Sequence, residues 1–246
     1  MPCGNFGNIL AAVYAKSMGI PFRDFTVAAN KNNILSDFVM TGKYDLRERE
    51  LLKTISPSID ILISSNIERM LHLLCAKNPE MADAGAEVDR CFKQLKTEGY
   101  FELSPALFAM LNKEFTGGWA TEEECGATIK DVFERTGYLL DPHTAVAKHV
   151  IDAAPRPDED TVPMLISSTA HYGKFASDVV KIVGGSEADA SPAKLLDDLG
   201  AFASQPRPHK QLLDVVKRDP LHKTTVEPDL DAVKAEVRKF LTGTHY

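Results

Sequence analysis

The sequence predicts an α/β fold in which a largely parallel sheet is covered by helices. Three observations predict it. Short apolar runs of strand character alternate with helical patterns, capping signals stand at the heads of those helical patterns, and a glycine loop runs straight into the first of them.

The elements follow in order. Residues 9–18 place Ile9, Leu10, Val13 and Tyr14 on one helical face, and Gly19 followed by Pro21 ends the segment. FTVAA, at 25–29, reads as a strand, and NKNN, at 30–33, as a turn. ILSDFVMTG then reads as a helix closing at Gly42, and DILIS, at 60–64, as a second apolar strand. Ser65 and Glu68 form an S-x-x-E capping box at the head of the helix IERMLHLLC. From 79 to 136 the pattern is helical throughout, with a second capping box at Thr121 and Glu124, so this stretch is expected to be an all-helical insertion between βα units. Asp141 caps a helix whose first position is Pro142, where the missing N–H costs nothing and the fixed φ suits the turn. VPMLISST, at 162–169, is expected to be a strand, followed by a helix near 173–183. From Ser191 the chain reads as helices separated by Pro-bearing linkers such as QPRPH, with a last helix near 229–241. The expected domains are 1–185, with the insertion at about 79–136, and a helical extension at 186–246.

Composition narrows the function classes. At 246 residues, with 44% hydrophobic and 26% charged content, the chain is ordinary globular material, enough for one large domain or two small ones. A formal net charge of −7 and the lack of a Lys/Arg run disfavour binding along a nucleic-acid backbone. Cys3, Cys75, Cys91 and Cys125 show neither the close pairs of a zinc site nor the density of a disulfide framework, and read as inert thiols in a reducing setting. No apolar run approaches a membrane span, and the N-terminus lacks a secretory pattern. A cytoplasmic protein is expected, with neither nucleic acid nor membrane as a partner.

Two stretches are candidates for a site. GNFGN, Gly4 to Asn8, has the pattern of a loop that cradles a phosphate at a helix N-terminus. Backbone N–H groups of Gly4, Asn5, Phe6, Gly7 and Asn8 would surround the anion, and the helix that follows would add its positive end. A plain helix-capping turn is the other reading of an isolated G-x-x-G. Such a loop normally follows a strand, yet only three residues precede it here. SSTAH, at 167–171, ends the expected strand, and ligands of parallel sheets bind at the carboxyl ends of strands. Both stretches are expected to build one site. His143 and His149 are six apart on one helix, do not share a face and make no metal pair. His171 either lines the pocket or is a hydrogen-bonded loop histidine, and Lys16 reads as solvated.

GNFGNILAAVYAKSMGIP is followed in order by AANKNNIL, TGKYD, SPSIDILISSNIER, GYLLDPHTAVA and STAHYGKF. From residue 2 to about 185 this series closely resembles the second half of threonine synthase, a pyridoxal-phosphate enzyme of fold type II. The last sixty or so residues carry no matching motif. The resemblance implies a tryptophan-synthase-beta-like parallel sheet flanked by helices, with pyridoxal 5′-phosphate as cofactor. The implied reaction converts O-phospho-L-homoserine and water into L-threonine and phosphate. On this reading Gly4 to Asn8 hold the cofactor phosphate, although Cys3 stands where a hydroxyl residue is expected. Thr169 would meet the pyridine nitrogen. Ser168 competes with it, because alternate strand residues face opposite ways, and a strand-end cap is the plainer reading of both. Asn66 and Arg69 are possible substrate contacts.

In the family, the lysine that bonds the cofactor precedes the glycine loop and lies in a different motif from Lys174, so no residue here is assigned a catalytic role. The expectation is therefore a C-terminal portion, begun within a βα unit and inactive without the missing N-terminal half. Strand edges and apolar faces left bare would make it poorly stable or self-associating. Two alternatives are a related pyridoxal-phosphate lyase acting on another phosphorylated amino acid, and a non-catalytic binding or signalling remnant.

Overall fold

The computed structural model of the chain describes residues 1–155, 157, 160–184, 190–202 and 205–243. They separate into two compact units, Met1–His209 and Lys210–Tyr246.

The first unit is built on strand β1, Phe25–Ala29, where the alternation of the sequence placed it. Residues 1–3 run parallel along one side: the Cys3 N–H donates to the Ala28 carbonyl at 2.9 Å, and the Ala28 N–H to the Met1 carbonyl at 3.0 Å. Helix α1, Gly7–Ser17, connects these residues to β1. Helix α2, Ile34–Thr41, ends at Gly42, whose φ of 75° satisfies the left-handed turn that closes a helix. A second, antiparallel pair joins β2, Lys43–Asp45, to β3, Tyr100–Glu102. Helices α3, Ile67–Ala76, α4, Ala84–Glu98, and α5, Pro105–Glu114, lead to β4, Phe115–Trp119. β4 lies parallel to β1 on the side away from residues 1–3, with Phe25 opposite Phe115 and Ala29 opposite Trp119. Helices α6, Glu122–Thr136, α7, Pro142–Ala153, α8, Ala176–Val183, and α9, Pro192–Phe202, complete the unit.

The core follows from this arrangement. Val27, Ile34, Leu35, Phe38 and Val39 are fully buried between β1 and α2. Phe38, Tyr44 and Phe101 pack ring on ring at 5.3–5.6 Å, joining α2 to the β2–β3 pair through aromatic contact. In the second unit, α10 spans Lys210–Val216 and α11 spans Leu230–Leu241, close to the helix expected near 229–241, with Asp229 capping its first turn. No helix among the described residues is long and apolar enough to cross a membrane.

Four expectations need correction. The stretch 79–136 is mostly helical, with the Thr121–Glu124 capping box formed in both directions, but it also contributes β3 and β4. β4 has the sequence FTGGW, and its two glycines hide the strand. They are required because a Cβ on Gly117 would lie 2.7 Å from the Ser36 carbonyl oxygen. DILIS is not a strand: the Asp60 and Ile61 N–H groups bond to nearby carbonyls, and the Tyr44 hydroxyl donates to the Leu62 carbonyl at 2.8 Å and accepts the Ser64 N–H at 2.9 Å. Residues 162–169 join no ladder, and Val162, Met164 and Leu165 are exposed. The Ser65–Glu68 capping box does not form, because α3 begins one residue later with Asn66 as its N-cap and the Ser65 hydroxyl donates instead to Asn5.

Candidate functional site

Residues 1–3 give way at Gly4 to a tight loop that enters α1 at Gly7. Gly4 is buried against the 3-10 turn Pro57–Ile59: a Cβ there would stand 2.7 Å from the Ile59 Cα and 3.2 Å from the Ser58 carbonyl oxygen, so only glycine fits. Phe6 turns the chain with a φ of 61°, uncommon for a bulky residue, and its ring is buried 5.7 Å from that of Phe115. Asn5 Oδ1 accepts from the Ser65 N–H at 2.7 Å and from the Ser65 hydroxyl at 3.0 Å, while Asn66 Nδ2 donates to the Asn5 carbonyl at 2.9 Å. The heads of α1 and α3 are thereby tied together.

The first donors of α1 are left open. Leu10 N–H reaches the Phe6 carbonyl, but Gly7, Asn8 and Ile9 precede the first intrahelical bond, and no side chain caps them. Cys3, where a hydroxyl residue was expected, is buried in the core, and burial pushes its thiol up to about 12. Cys75, Cys91 and Cys125 are likewise buried free thiols, with burial the main cause of their raised pKa values.

The structure brings the two predicted stretches together. Asn8 Nδ2 donates to Ser167 Oγ at 3.1 Å, and Ser167 Oγ also lies 3.3 Å from Asn8 Oδ1. Next along the chain, Ser168 Oγ lies 3.1 Å from Thr144 Oγ1, which donates its proton to the buried Asp141 carboxylate. Thr169 is exposed, and its hydroxyl has no hydrogen bond. His171 is a loop histidine whose Nδ1 accepts the Gly173 N–H at 3.0 Å, and burial pulls its pKa down. Lys174 is exposed. Lys16 is less free than expected, since it donates to the Arg23 carbonyl at 2.9 Å and pairs with Glu114 at 3.4 Å. Arg69 is exposed on α3, and Asn66 is committed to the loop as described.

Two buried networks behind this site were not read from the sequence. Asn30 and Asn32, just past the carboxyl end of β1, donate to Asp60 Oδ1 at 2.7 and 3.0 Å, and Thr54 N–H donates to Asp60 Oδ2 at 2.9 Å. Together they fold residues 52–60 beneath the Gly4 loop. On α7, Asp141 Oδ1 accepts from the His143 N–H at 2.9 Å and faces His143 Nδ1 at 3.1 Å, while His143 Nε2 accepts the Ser58 N–H at 3.0 Å. Burial pushes the Asp141 carboxyl up, but hydrogen bonds from His143 and Thr144 outweigh it and hold its pKa below the ordinary 3.8. The available signal was the D-P-H-T spacing, which a capping reading of Asp141 had already absorbed.

No family model matches the chain. Among known proteins it is similar to human "Threonine synthase-like 1", 43% identical over 242 residues, which is 98% of this chain and 31% of that protein. Threonine synthase of Saccharomyces cerevisiae is 39% identical over 193 residues, 75% of this chain and 37% of the yeast protein. In fold, the crystal structure of yeast threonine synthase superposes with a TM-score of 0.82 at 32% identity, covering 98% of this chain and 47% of that one. A pyridoxal-phosphate-bound threonine synthase from Brucella melitensis gives 0.76 at 34% identity, covering 96% and 44%. The chain thus spans about a third to a half of the length of these relatives. In sequence and in fold it is a relative of the threonine synthases, pyridoxal-phosphate enzymes of fold type II, matching part of their length.

Proposed function

We propose that this chain is the cofactor-phosphate-binding portion of a threonine synthase, which converts O-phospho-L-homoserine and water into L-threonine and phosphate. The observation that carries the reading is the head of α1, where the Gly7, Asn8 and Ile9 N–H groups have neither an intrahelical acceptor nor a side-chain cap, beside Ser167. Open donors at the positive end of a helix suit a phosphate ester. Gly4, Asn5, Phe6, Gly7 and Asn8 would form the cradle for pyridoxal 5′-phosphate, which supplies an electron sink when bound. Within the cradle, Asn5 fixes the loop to Ser65, and Gly7 and Asn8 face the anion with backbone donors. Thr169, with its hydroxyl unengaged, is the partner for the ring nitrogen, since Ser168 already packs its hydroxyl on Thr144. No lysine of this chain is given the cofactor bond. The whole reaction is assigned to a protein of the relatives' length, and the chain alone is proposed to bind without turnover.

The test is direct. Pyridoxal 5′-phosphate added to the 15N-labelled chain should shift the amides of Gly7, Asn8 and Ile9, and Asn8→Asp, which brings a carboxylate to the same donors, should weaken binding. Incubation with O-phospho-L-homoserine should release no phosphate. Unmoved loop amides at saturating ligand would sink the binding reading, and phosphate release by the chain alone would sink the claim of inactivity. A non-catalytic binding role is the second reading. The match over 98% of the chain to a protein named only as threonine synthase-like favours it, and failure of the chain to restore turnover when joined to a lysine-bearing threonine synthase N-terminal portion would select it.

A further inference from the structure

We propose that His143 is a positioning residue for the Gly4–Asn8 loop, acting through the Ser58–Ile59 peptide that the loop rests on. The geometry fixes its protonation pattern. A backbone N–H can only donate, so the Ser58 N–H at 3.0 Å requires a bare Nε2 on His143. The proton of the neutral ring is therefore on Nδ1, 3.1 Å from Asp141 Oδ1. The ring has no room to swing. Both side chains are 1% exposed, Asp141 is itself held by the His143 and Thr144 N–H groups and the Thr144 hydroxyl, and the Phe175 ring packs on the imidazole at 4.7 Å.

What His143 holds is the surface against which Gly4 packs. A Cβ on Gly4 would meet the Ile59 Cα at 2.7 Å and the Ser58 oxygen at 3.2 Å, so a small movement of that peptide either crowds the loop or leaves it unsupported. The chain of contacts runs from α7 through His143 to Ser58, across to Gly4, and so to the open donors of α1. His143 itself touches none of those donors. It sets where they stand.

The role in anion affinity rests on the phosphate reading above, whereas the role in placing the turn does not, and two amide-replacement variants of the full chain separate them. His143→Asn keeps a donor for Asp141 but offers Ser58 no acceptor. His143→Gln offers a carbonyl where Nε2 stood. With exchange rates compared at matched global stability, the Ser58 amide should exchange about fivefold faster or more in His143→Asn, with shifted Gly4 and Asn5 amides and about fivefold weaker binding of pyridoxal 5′-phosphate. His143→Gln should stay near wild type in all three. Ser58 exchange unchanged in His143→Asn, or equally fast in both variants, overturns the proposal. Correct ordering of exchange without any ligand binding by wild type overturns the phosphate reading and leaves the turn-holding role in place. Wild type alone provides a further check that needs no variant: its imidazole 15N spectrum must show a protonated Nδ1 and a bare Nε2, and the opposite tautomer refutes the proposal.

Discussion

The two stretches that meet at Asn8 and Ser167 are held in different ways. In the Gly4–Asn8 loop each turn has its own support: Gly4 on the Ile59 backbone, the Phe6 ring in the core, and Asn5 on Ser65. Residues 162–169 are apolar in sequence but lie outside any ladder, with Val162, Met164 and Leu165 exposed and tethers near their ends at Asp160, Asn8 and Thr144. The loop is fixed by chemistry within reach of its own residues. The second stretch has the composition of a buried parallel strand without the neighbours that such a strand needs.

Asp141 supports both stretches, through His143 and Ser58 to one and through Thr144 to the other, and removing it should give the largest effect. Asp141→Ala strands the His143 and Thr144 N–H groups, the imidazole donor and the Thr144 hydroxyl in a buried site, for a loss of about 4 kcal/mol in urea unfolding. A loss below about 1 kcal/mol would mean that the two regions are not joined through this carboxylate. The pH dependence follows from the sign of the shift. With its folded pKa held below 3.8, Asp141 contributes stability that is present above the unfolded value and is lost as pH falls through the folded one. Wild type should therefore lose stability more steeply below about pH 4 than the variant does.

Gly4→Val comes next. Its side chain would drive into the Ile59 backbone, which cannot move aside as the end of a flexible side chain would, so the variant should lose about 2 kcal/mol and the loop amides should shift. If thermal melts show no change, the close approach that defines the loop is not a constraint.

Thr169→Val and Ser168→Ala sharpen the contrast within the second stretch. Thr169 makes no hydrogen bond, so its loss should leave stability unchanged and weaken pyridoxal 5′-phosphate binding about fivefold. Ser168→Ala should do the reverse, a small stability loss with unchanged affinity, since its hydroxyl lies against Thr144. Titrations that give the opposite ordering would move the ring-nitrogen role to Ser168.

The same contrast explains what was legible in the sequence. FTVAA, the helix closed by Gly42, the Thr121–Glu124 box and the Asp141–Pro142 helix start were all readable, because each depends on residues a few positions apart. FTGGW was missed because its strand character comes from pairing with β1, and its glycines record crowding by α2 at Gly117 and by α7 at Gly118 that no local pattern displays. DILIS was misread because Tyr44, about twenty residues away, takes the backbone groups that a ladder would have used. The loop and SSTAH were both picked out as site stretches, and Asn8 does touch Ser167. The Asp141–His143–Ser58 relay was not foreseen, since His143 and Ser58 are 85 positions apart.

Leu165→Asp should have the smallest effect on folding and is the most direct probe of what residues 162–169 lack. Leu165 is 76% exposed, so a charge there costs the folded chain less than about 0.5 kcal/mol. Yet Val162, Met164 and Leu165 are all exposed apolar side chains, and exposed apolar surface promotes association. Wild type should sediment with a concentration-dependent increase in mass, and the aspartate variant should sediment closer to a monomer at the same stability. If the variant instead unfolds, Leu165 is buried in solution and residues 162–169 are as well supported as the loop. If both chains stay monomeric at all concentrations, the apolar run is tolerated without a partner, and the contrast between the two stretches concerns packing alone.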